Sequence, residues 1–208
     1  MLLYPSEQGA YVTALYNSSR SEIDADPDLL QHETSETPRL SCVSVDATDE
    51  ASVERFFQTG MPKNWPVLSV LVVNHGIFVA QDCPIWDMSL AQFERTLKVN
   101  TVGPFLLIRS FLKTYKSTLE ASQPTTDLYP PTIVLVGSTA AEFGEANHSD
   151  YATSKSGLTH GMMKSVKNEI VKVHPRGRIN TVAPGWVGTK MAEESLKDER
   201  TRFMAMAT

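Results

Sequence analysis

Apolar runs of six or seven residues recur along the chain and are separated by longer segments with helical periodicity. The runs lie at 11–16, 40–45, 67–73, 132–137 and 178–183, and most are rich in valine, leucine and isoleucine. Because they are continuous rather than alternating with polar residues, they are typical of strands buried on both faces of a parallel sheet. The pattern therefore predicts five parallel strands.

Helical patterns fill the intervals between these strands. They begin at Asp49, at Ser89 and at Tyr151, and the last of them runs to residue 173. Strands that alternate with helices predict the α/β class with a doubly wound parallel sheet. The polar, proline-bearing segment 117–132 is expected to be a surface loop. No internal repeat interrupts the pattern, so a single domain over residues 1–208 is predicted.

Composition and charge narrow the range of partners. The 208 residues are 41% hydrophobic, and the formal net charge of -5 comes without any basic tract. Nucleic acid and anionic membranes are therefore not expected as partners, and a small-molecule ligand is favoured. The two cysteines are too few for a disulfide framework, and the first residues show neither a cationic leader nor a long apolar run. These features predict a cytoplasmic location.

One polar cluster is a candidate for chemistry. Tyr151 and Lys155 are four residues apart, so they share one face of the predicted helix. Ser138 follows the strand at 132–137, and ligands of open α/β sheets bind beyond the carboxyl ends of the strands. A phenol has a pKa of about 10, and a neighbouring ammonium is expected to lower it. The three groups together would form a general acid/base device for a carbonyl or hydroxyl oxygen.

The residues alone leave a second interpretation open. A tyrosine and a lysine at this spacing are more often a packed or solvated surface pair than a catalytic one. The five histidines show no ligand spacing with cysteine or carboxylate, so no metal site is predicted.

Further motifs make the chain resemble the short-chain dehydrogenase/reductase family from Gly9 to about Met191. The Tyr-x-x-x-Lys motif of that family matches Tyr151 and Lys155, and its catalytic serine matches Ser138. Asn100 matches the helix asparagine that anchors a water in the family's proton relay. The resemblance implies a Rossmann-like fold and an NAD(P)-dependent oxidoreductase. Such an enzyme would interconvert a secondary alcohol with a ketone or aldehyde and use the tyrosine as acid/base.

The same resemblance implies a set of contacts with the cofactor. A turn after the third strand of this chain and a Pro-Gly segment after the fifth match the family pattern, although His75 stands where an alanine is usual. The implied cofactor-binding residues are Asp46, Ala47, Asn74, Gly76, Tyr151, Lys155, Pro184, Gly185, Val187 and Thr189. Two alternatives stay open, because Asn74 and Gly76 could simply form a tight turn and Asp46 could cap the next helix. Thr48 is the better-placed residue for that cap.

The nucleotide preference depends on the end of the first strand. An acidic residue there would bind the ribose hydroxyls of NAD, but residues 16–20 contain none. NADP is therefore favoured over NAD. Arg20 is the candidate partner of the 2′-phosphate, although an arginine in a polar loop can also be merely solvated.

Departures from the family pattern define the remaining expectations. Gly9 matches the end of the family's first helix, so the preceding strand and glycine-rich turn are missing, and 19 residues follow Thr189 (208 − 189). We therefore expect an incomplete version of the fold. If it folds, the helices at 100–116 and 151–173 are predicted to form a homo-oligomer. The alternatives are an inactive binding partner of a full-length homologue and a lyase or epimerase with the same catalytic residues.

Overall fold

The computed structural model describes residues 9–17, 38–121, 128–187 and 197, which fall into two compact units, one within residues 1–67 and one within residues 68–208. Each unit contains its own parallel sheet, with two strands in the first unit and three in the second. The predicted cofactor-binding residues Arg20 and Thr189 lie outside the described residues.

The first unit is built on two parallel strands. Strand β1 (Val12–Tyr16) pairs with β2 (Leu40–Ser44), and Val12 lies opposite Leu40 in the register. Ala14 and Leu40 are buried together, with Val12 and Cys42 packed against them. Both predicted strands are therefore confirmed.

Helix α1 (Glu50–Arg55) follows β2 and continues through a π-helical turn, Phe56–Gly60. Its cap is Asp49, whose carboxylate accepts a hydrogen bond from the N–H of Ser52 at 3.0 Å. The prediction that Asp46 or Thr48 caps this helix is wrong. Asp46 Oδ1 instead accepts bonds from both the N–H and the hydroxyl of Thr48, each at 2.8 Å, and so closes a local turn.

Three parallel strands form the sheet of the second unit. They are β3 (Val70–Val73), β4 (Thr132–Val136) and β5 (Arg178–Val182), in the order β3-β4-β5. Ile133 and Leu135 on the central strand are fully buried. The three predicted strands are confirmed, although β3 begins three residues later than the apolar run did.

Burial on both faces was predicted for every strand, and the outer strands do not show it. Val70 and Val72 of β3 are 52% and 51% exposed, whereas Leu71 and Val73 between them are buried. Successive side chains of a strand point to opposite faces, so β3 buries only one face. The central strand β4 contains no exposed residue.

The helices of the second unit occur in two groups. Between β3 and β4 lie α2 (Leu90–Leu97), a π-helical turn (Lys98–Val102) and α3 (Gly103–Ala121). Between β4 and β5 lie α4 (Ala140–Phe143), α5 (Ser149–Ser156), a π-helical turn (Gly157–Met162) and α6 (Met163–Val173). Helix α3 extends into the segment predicted as a loop from 117, where Lys116 and Glu120 pair one turn apart at 3.8 Å.

Large apolar side chains from both helical groups cover the sheet. Phe111 and Tyr115 of α3 are 1% exposed, and Ile170 of α6 is fully buried. In the described part of the chain, no helix combines the length and the apolar character needed to cross a membrane.

Candidate active site

The segments that leave β4 and β5 are tied together, and this brings the chemistry-bearing residues to one edge of the sheet. The N–H of Gly137 donates to the carbonyl of Val182 at 2.8 Å, and the N–H of Thr139 donates to Pro184 at 3.0 Å. Ser138 therefore lies between two backbone bonds to the β5 segment. The Pro-Gly segment is thus anchored beside the serine, at the carboxyl ends of the strands.

The hydroxyl of Ser138 lies close enough to the phenol of Tyr151 to lower the pKa of the phenol. The serine oxygen also accepts a bond from the N–H of Ala140 at 3.2 Å, which fixes its rotamer. Burial raises the pKa of Tyr151, the interaction with Ser138 partly offsets this, and the charge of Glu145 raises the pKa further. The expectation that Lys155 makes this phenol acidic is therefore not met, since desolvation dominates.

Lys155 is buried beneath the tyrosine. The residue is only 4% exposed, and its Nζ donates a 2.8 Å hydrogen bond to the carbonyl of Val136. The same Nζ lies 5.8 Å from the centre of the Tyr151 ring. Burial lowers the pKa of Lys155 to about 8, because the charged form has lost its hydration.

Asn100 is fixed by three hydrogen bonds of its side-chain amide. The oxygen accepts from the N–H of Ile77 at 2.8 Å, while the nitrogen donates to the carbonyl of Ile77 at 2.9 Å and to the hydroxyl of Ser154 at 3.1 Å. Asn100 lies in a π-helical turn that Pro104 helps to explain. Proline has no N–H for the carbonyl four residues earlier, so the regular helical ladder cannot continue there.

Gly76 is required for close approach rather than for its backbone angles. A Cβ at this position would lie 3.2 Å from Oδ1 of Asn100 and 3.4 Å from Nζ of Lys155, and its φ is not in the left-handed region. Asn74 is exposed, and no hydrogen bond joins its side chain to the described residues. Glycine at 76 thus lets the loop after β3 pack directly on the lysine.

His75 is the residue that departs from the family pattern, and its ring is buried beside the lysine. Burial lowers its pKa, a bond with the backbone of Val99 raises it, and the charge of Lys155 lowers it. Its Nε2 is buried without a hydrogen-bond partner among the described residues. Burial therefore favours the neutral form of this imidazole.

Buried polar contacts hold the tyrosine helix in place. The carboxylate of Asp150, which is 1% exposed, accepts a 2.7 Å bond from the hydroxyl of Thr96 and a 3.3 Å bond from Gln92. Thr101 also donates to the carbonyl of Ser154 at 3.2 Å. These contacts join α5 to α2 and to its π-helical turn, and so set the positions of Tyr151 and Lys155.

An aromatic cluster beside the tyrosine was missed by the sequence reasoning. The ring of Phe78 lies 5.0 Å from that of Tyr151, 4.4 Å from that of His148 and 6.4 Å from that of Trp186, measured between centroids. Phe78 follows the loop of Gly76 by two residues, so its place at the carboxyl end of β3 was the available signal. The cluster gives the site an apolar wall.

The remaining residues predicted to bind the cofactor are divided between the two units of the chain. Pro184, Gly185 and Val187 follow β5, and Val187 is 51% exposed. Asp46 and Ala47 belong to the first unit, where the Asp46 carboxylate closes the turn with Thr48. Their roles toward a cofactor stay predictions. Among the described residues, no cluster of histidine, cysteine and carboxylate groups could hold a metal ion.

The chemistry of the lysine fits the ribose of a nicotinamide nucleotide. An ammonium carries three N–H donors, and the carbonyl of Val136 accepts one of them in the described part of the chain. Two donors of Lys155 are thus available for ribose hydroxyls. The site can hold an oxygen against two hydroxyl groups and keep a cation next to them.

Comparison with known proteins agrees with this arrangement. The short chain dehydrogenase family profile matches residues 6–200. The 3-oxoacyl-(acyl-carrier-protein) reductase MabA of Mycobacterium tuberculosis is 28% identical over 190 residues, which are 91% of this chain and 70% of the reductase. Levodione reductase of Leifsonia aquatica is 28% identical over 166 residues, or 79% of this chain and 56% of the reductase.

Solved structures show the same fold. A short-chain dehydrogenase/reductase of the glucose/ribitol dehydrogenase type from Brucella melitensis superposes with a TM-score of 0.72 at 25% identity, covering 92% of this chain and 68% of its own. A 3-ketoacyl-(acyl-carrier-protein) reductase from the same organism, complexed with NADH, gives a TM-score of 0.74 at 18% identity, with 91% and 71% covered. The predicted doubly wound α/β fold is therefore confirmed. This chain belongs to the short-chain dehydrogenase family of NAD(P)-dependent oxidoreductases.

Proposed function

We propose that the chain interconverts a secondary alcohol with a ketone or aldehyde at the site of Ser138, Tyr151 and Lys155, with Tyr151 as the acid/base. The observation that carries the proposal is the proximity of the Ser138 and Tyr151 hydroxyls beside a buried ammonium, whose Nζ lies 5.8 Å from the centre of the Tyr151 ring. A carbonyl oxygen between two hydroxyl groups would be polarised by both of them. This is the arrangement that general acid catalysis requires.

The protonation state of the tyrosine favours the role of an acid. Burial raises its pKa, so the phenol keeps its proton near neutral pH. In the reducing direction, Tyr151 gives this proton to the substrate oxygen while Ser138 donates a second hydrogen bond to it. In the oxidising direction, the phenolate must form first, and the same burial opposes it.

Lys155 is assigned to the cofactor. Its two remaining N–H donors would bond to ribose hydroxyls of a nicotinamide nucleotide, which when bound supplies or accepts the hydride. Gly76 keeps the loop against the ammonium, and the Asn100 amide fixes the backbone of Ile77. These residues hold the lysine where it can bridge the cofactor and the phenol.

The proposal also includes the nucleotide preference, the oligomeric state and the location of the protein. NADP is the preferred nucleotide, because residues 16–20 carry no carboxylate, and Arg20 is the candidate for its 2′-phosphate. The protein forms homo-oligomers through the helices at 100–116 and 151–173. Its location is cytoplasmic.

The test combines binding and turnover. Calorimetric titration with NADPH and with NADH measures cofactor affinity, and loss of NADPH absorbance in the presence of a panel of ketones measures reduction. Tyr151→Phe is expected to lower kcat about a hundredfold or more while NADPH still binds. Tyr129→Phe, whose tyrosine is 80% exposed, is the matched control and keeps full activity. Absence of NADPH binding, or full turnover in Tyr151→Phe, would overturn the proposal.

A further inference from the structure

Two loops that lead into the site are joined through a single carboxylate. Asp82, in the segment between β3 and α2, has its Oδ1 3.3 Å from Nε2 of His148. Its Oδ2 accepts a 3.0 Å hydrogen bond from Nδ2 of Asn147. The N–H of Cys83 donates to the carbonyl of Asn147 at 3.1 Å. These four residues, which we call the Asp82 clasp, connect the loop after β3 to the loop before α5.

The clasp holds a backbone conformation that the chain would otherwise avoid. Asn147 has a φ of 65°, and it is the one non-glycine residue in the described part of the chain with a positive φ. Such a conformation persists where surrounding contacts impose it, and it is concentrated at functional sites. Asp82 and Cys83 bind the side chain and the carbonyl of this residue, so they are the contacts that impose it.

His148 connects the Asp82 clasp to Tyr151 through the ring of Phe78. The residue is 5% exposed, and its ring lies 4.4 Å from that of Phe78, which in turn meets the ring of Tyr151 edge-on at 5.0 Å. Its Nδ1 is buried without a hydrogen-bond partner among the described residues. An unpartnered buried nitrogen is costly, so stability alone does not account for a histidine at this position.

We propose that Asp82 and His148 are positioning residues that act through Phe78 to hold the phenol of Tyr151 against Ser138. His148 fixes one face of the Phe78 ring, and Phe78 blocks the side of Tyr151 that it contacts. Neither Asp82 nor His148 touches the reacting oxygen in this arrangement. The inference rests on the proposed function, because that function is the reason for placing the phenol there. The position of the phenol itself can be measured without turnover.

The exposure of Asp82 makes a clean substitution possible. Its side chain is 72% exposed, so its contact with His148 contributes little to the free energy of unfolding. Asp82→Asn keeps the shape of the side chain but replaces one carboxylate oxygen by an NH₂ group. Either the contact with His148 or the bond from Asn147 therefore loses its acceptor. Asp87→Asn is the matched control, because Asp87 is an exposed carboxylate of the same segment whose side chain bonds to none of the described residues.

Fluorine NMR of protein labelled with 3-fluorotyrosine follows the phenol directly. The Tyr151 resonance is identified by its loss in Tyr151→Phe. In Asp82→Asn we expect this resonance to move toward the position of free 3-fluorotyrosine, because the ring of Phe78 no longer lies on it. Asp87→Asn is expected to leave it unchanged. An unchanged Tyr151 resonance in Asp82→Asn would overturn the inference.

Two substitutions of His148 separate its polar contact from its ring contact. His148→Gln keeps a donor for Asp82 but loses the ring that faces Phe78, and His148→Phe keeps a ring but loses the donor. Both contacts are needed in the proposed chain of support, so each variant is expected to move the Tyr151 resonance. A wild-type resonance in both variants would contradict the role of His148, and these variants also serve if Asp82→Asn does not fold.

Kinetics distinguish positioning from general stability. In protein that turns over NADPH, Asp82→Asn is expected to lower kcat about tenfold, because a misplaced acid loses orientation. The KM for NADPH should stay unchanged, since Lys155 is not part of the clasp. A rise in KM with unchanged kcat would contradict the inference. If the unsubstituted protein shows no turnover, the proposed function fails, while the fluorine resonance still decides the inference.

Discussion

The Nζ of Lys155 donates a 2.8 Å hydrogen bond to the carbonyl oxygen of Val136, the last residue of β4. The last carbonyl of the central strand is thus bonded to the ammonium group of the α5 lysine. A single neutral acceptor does not replace the hydration that this ammonium has lost, so its pKa falls to about 8 from 10.5. Keeping Lys155 charged in the folded protein therefore costs free energy, and further hydrogen-bond acceptors at its Nζ would reduce that cost.

The first prediction concerns the dependence of stability on pH. The unfolded chain holds the Lys155 proton up to the ordinary pKa of 10.5, whereas the folded chain releases it near 8. Between these values the unfolded state binds more protons, so stability rises with pH. Relative to Lys155→Met, the wild type should gain about 2 kcal/mol in free energy of unfolding between about pH 7 and about pH 9.5.

Urea denaturation at the two pH values measures this gain. Lys164→Met, at an exposed lysine of α6, is the control and should change in parallel with the wild type. A wild type that loses stability relative to Lys155→Met over the same window would show that the lysine is not destabilised by burial.

The second prediction concerns Gly76→Ala. The added Cβ would lie 3.2 Å from Oδ1 of Asn100, and the amide of Asn100 cannot retreat because both of its ends are bonded to Ile77. We expect a loss of about 1–3 kcal/mol in free energy of unfolding, as for other overpacked sites. Equilibrium urea denaturation measures it.

Gly161→Ala makes the same chemical change where no atom lies within 4 Å of the new Cβ. At this helical position the substitution should raise the free energy of unfolding by up to about 1 kcal/mol, because alanine reduces the entropy of the unfolded chain. Equal effects of the two substitutions would mean that the contacts at Gly76 are not tight.

The third prediction tests the anchor of the tyrosine helix. Thr96→Val removes the hydroxyl that donates a 2.7 Å bond to the buried carboxylate of Asp150. Loss of a donor to a buried charged group should lower the free energy of unfolding by about 1–3 kcal/mol. Thr153→Val, at an exposed position of α5, is the control and is expected to be close to neutral. Thermal or urea unfolding of both variants decides the matter.

The fourth prediction tests the proposed homo-oligomer. A shallow surface between α4 and α5 is lined mainly by small residues, which include Ala152, Ser156 and Gly157. Small side chains let a second helix approach closely. Gly157→Arg should therefore give a monomer in size-exclusion chromatography, while Gln58→Arg, at an exposed position of the first unit, keeps the oligomer. An oligomer in Gly157→Arg would place the interface elsewhere.

The strands were predictable because each is a short, nearly continuous apolar run, and such runs have few alternatives in an α/β chain. The residues at which the helices begin were harder to predict. Asp46, Thr48 and Asp49 are all good caps by residue type, and in the structure Asp46 bonds to Thr48 while Asp49 caps the helix. That competition is decided by local geometry, which residue type alone does not specify.

The site was predictable where sequence spacing controls it and not where burial does. The four-residue spacing places Tyr151 and Lys155 on one helix face, as expected. The sign of the shift in the tyrosine pKa depends on how much water the folded chain removes, and the sequence does not contain that quantity. Phe78, Asp82 and His148 were missed because they meet only through the folding of two separate loops.

The π-helical turns after Leu97 and after Ser156 constrain how the gene can change by insertion or deletion. Each turn carries one residue more than an α-helix would need, and one residue rotates a helix by about 100°. The wide turn absorbs that rotation, so deleting a single codon within 157–162 should give a regular helix in which the side chains of α6 still face the sheet. A deletion within the regular turns of α6 has no wide turn to absorb it and would rotate the residues that follow it by about 100°, so single-codon deletions are expected to be tolerated in the π-helical turn and not in α6.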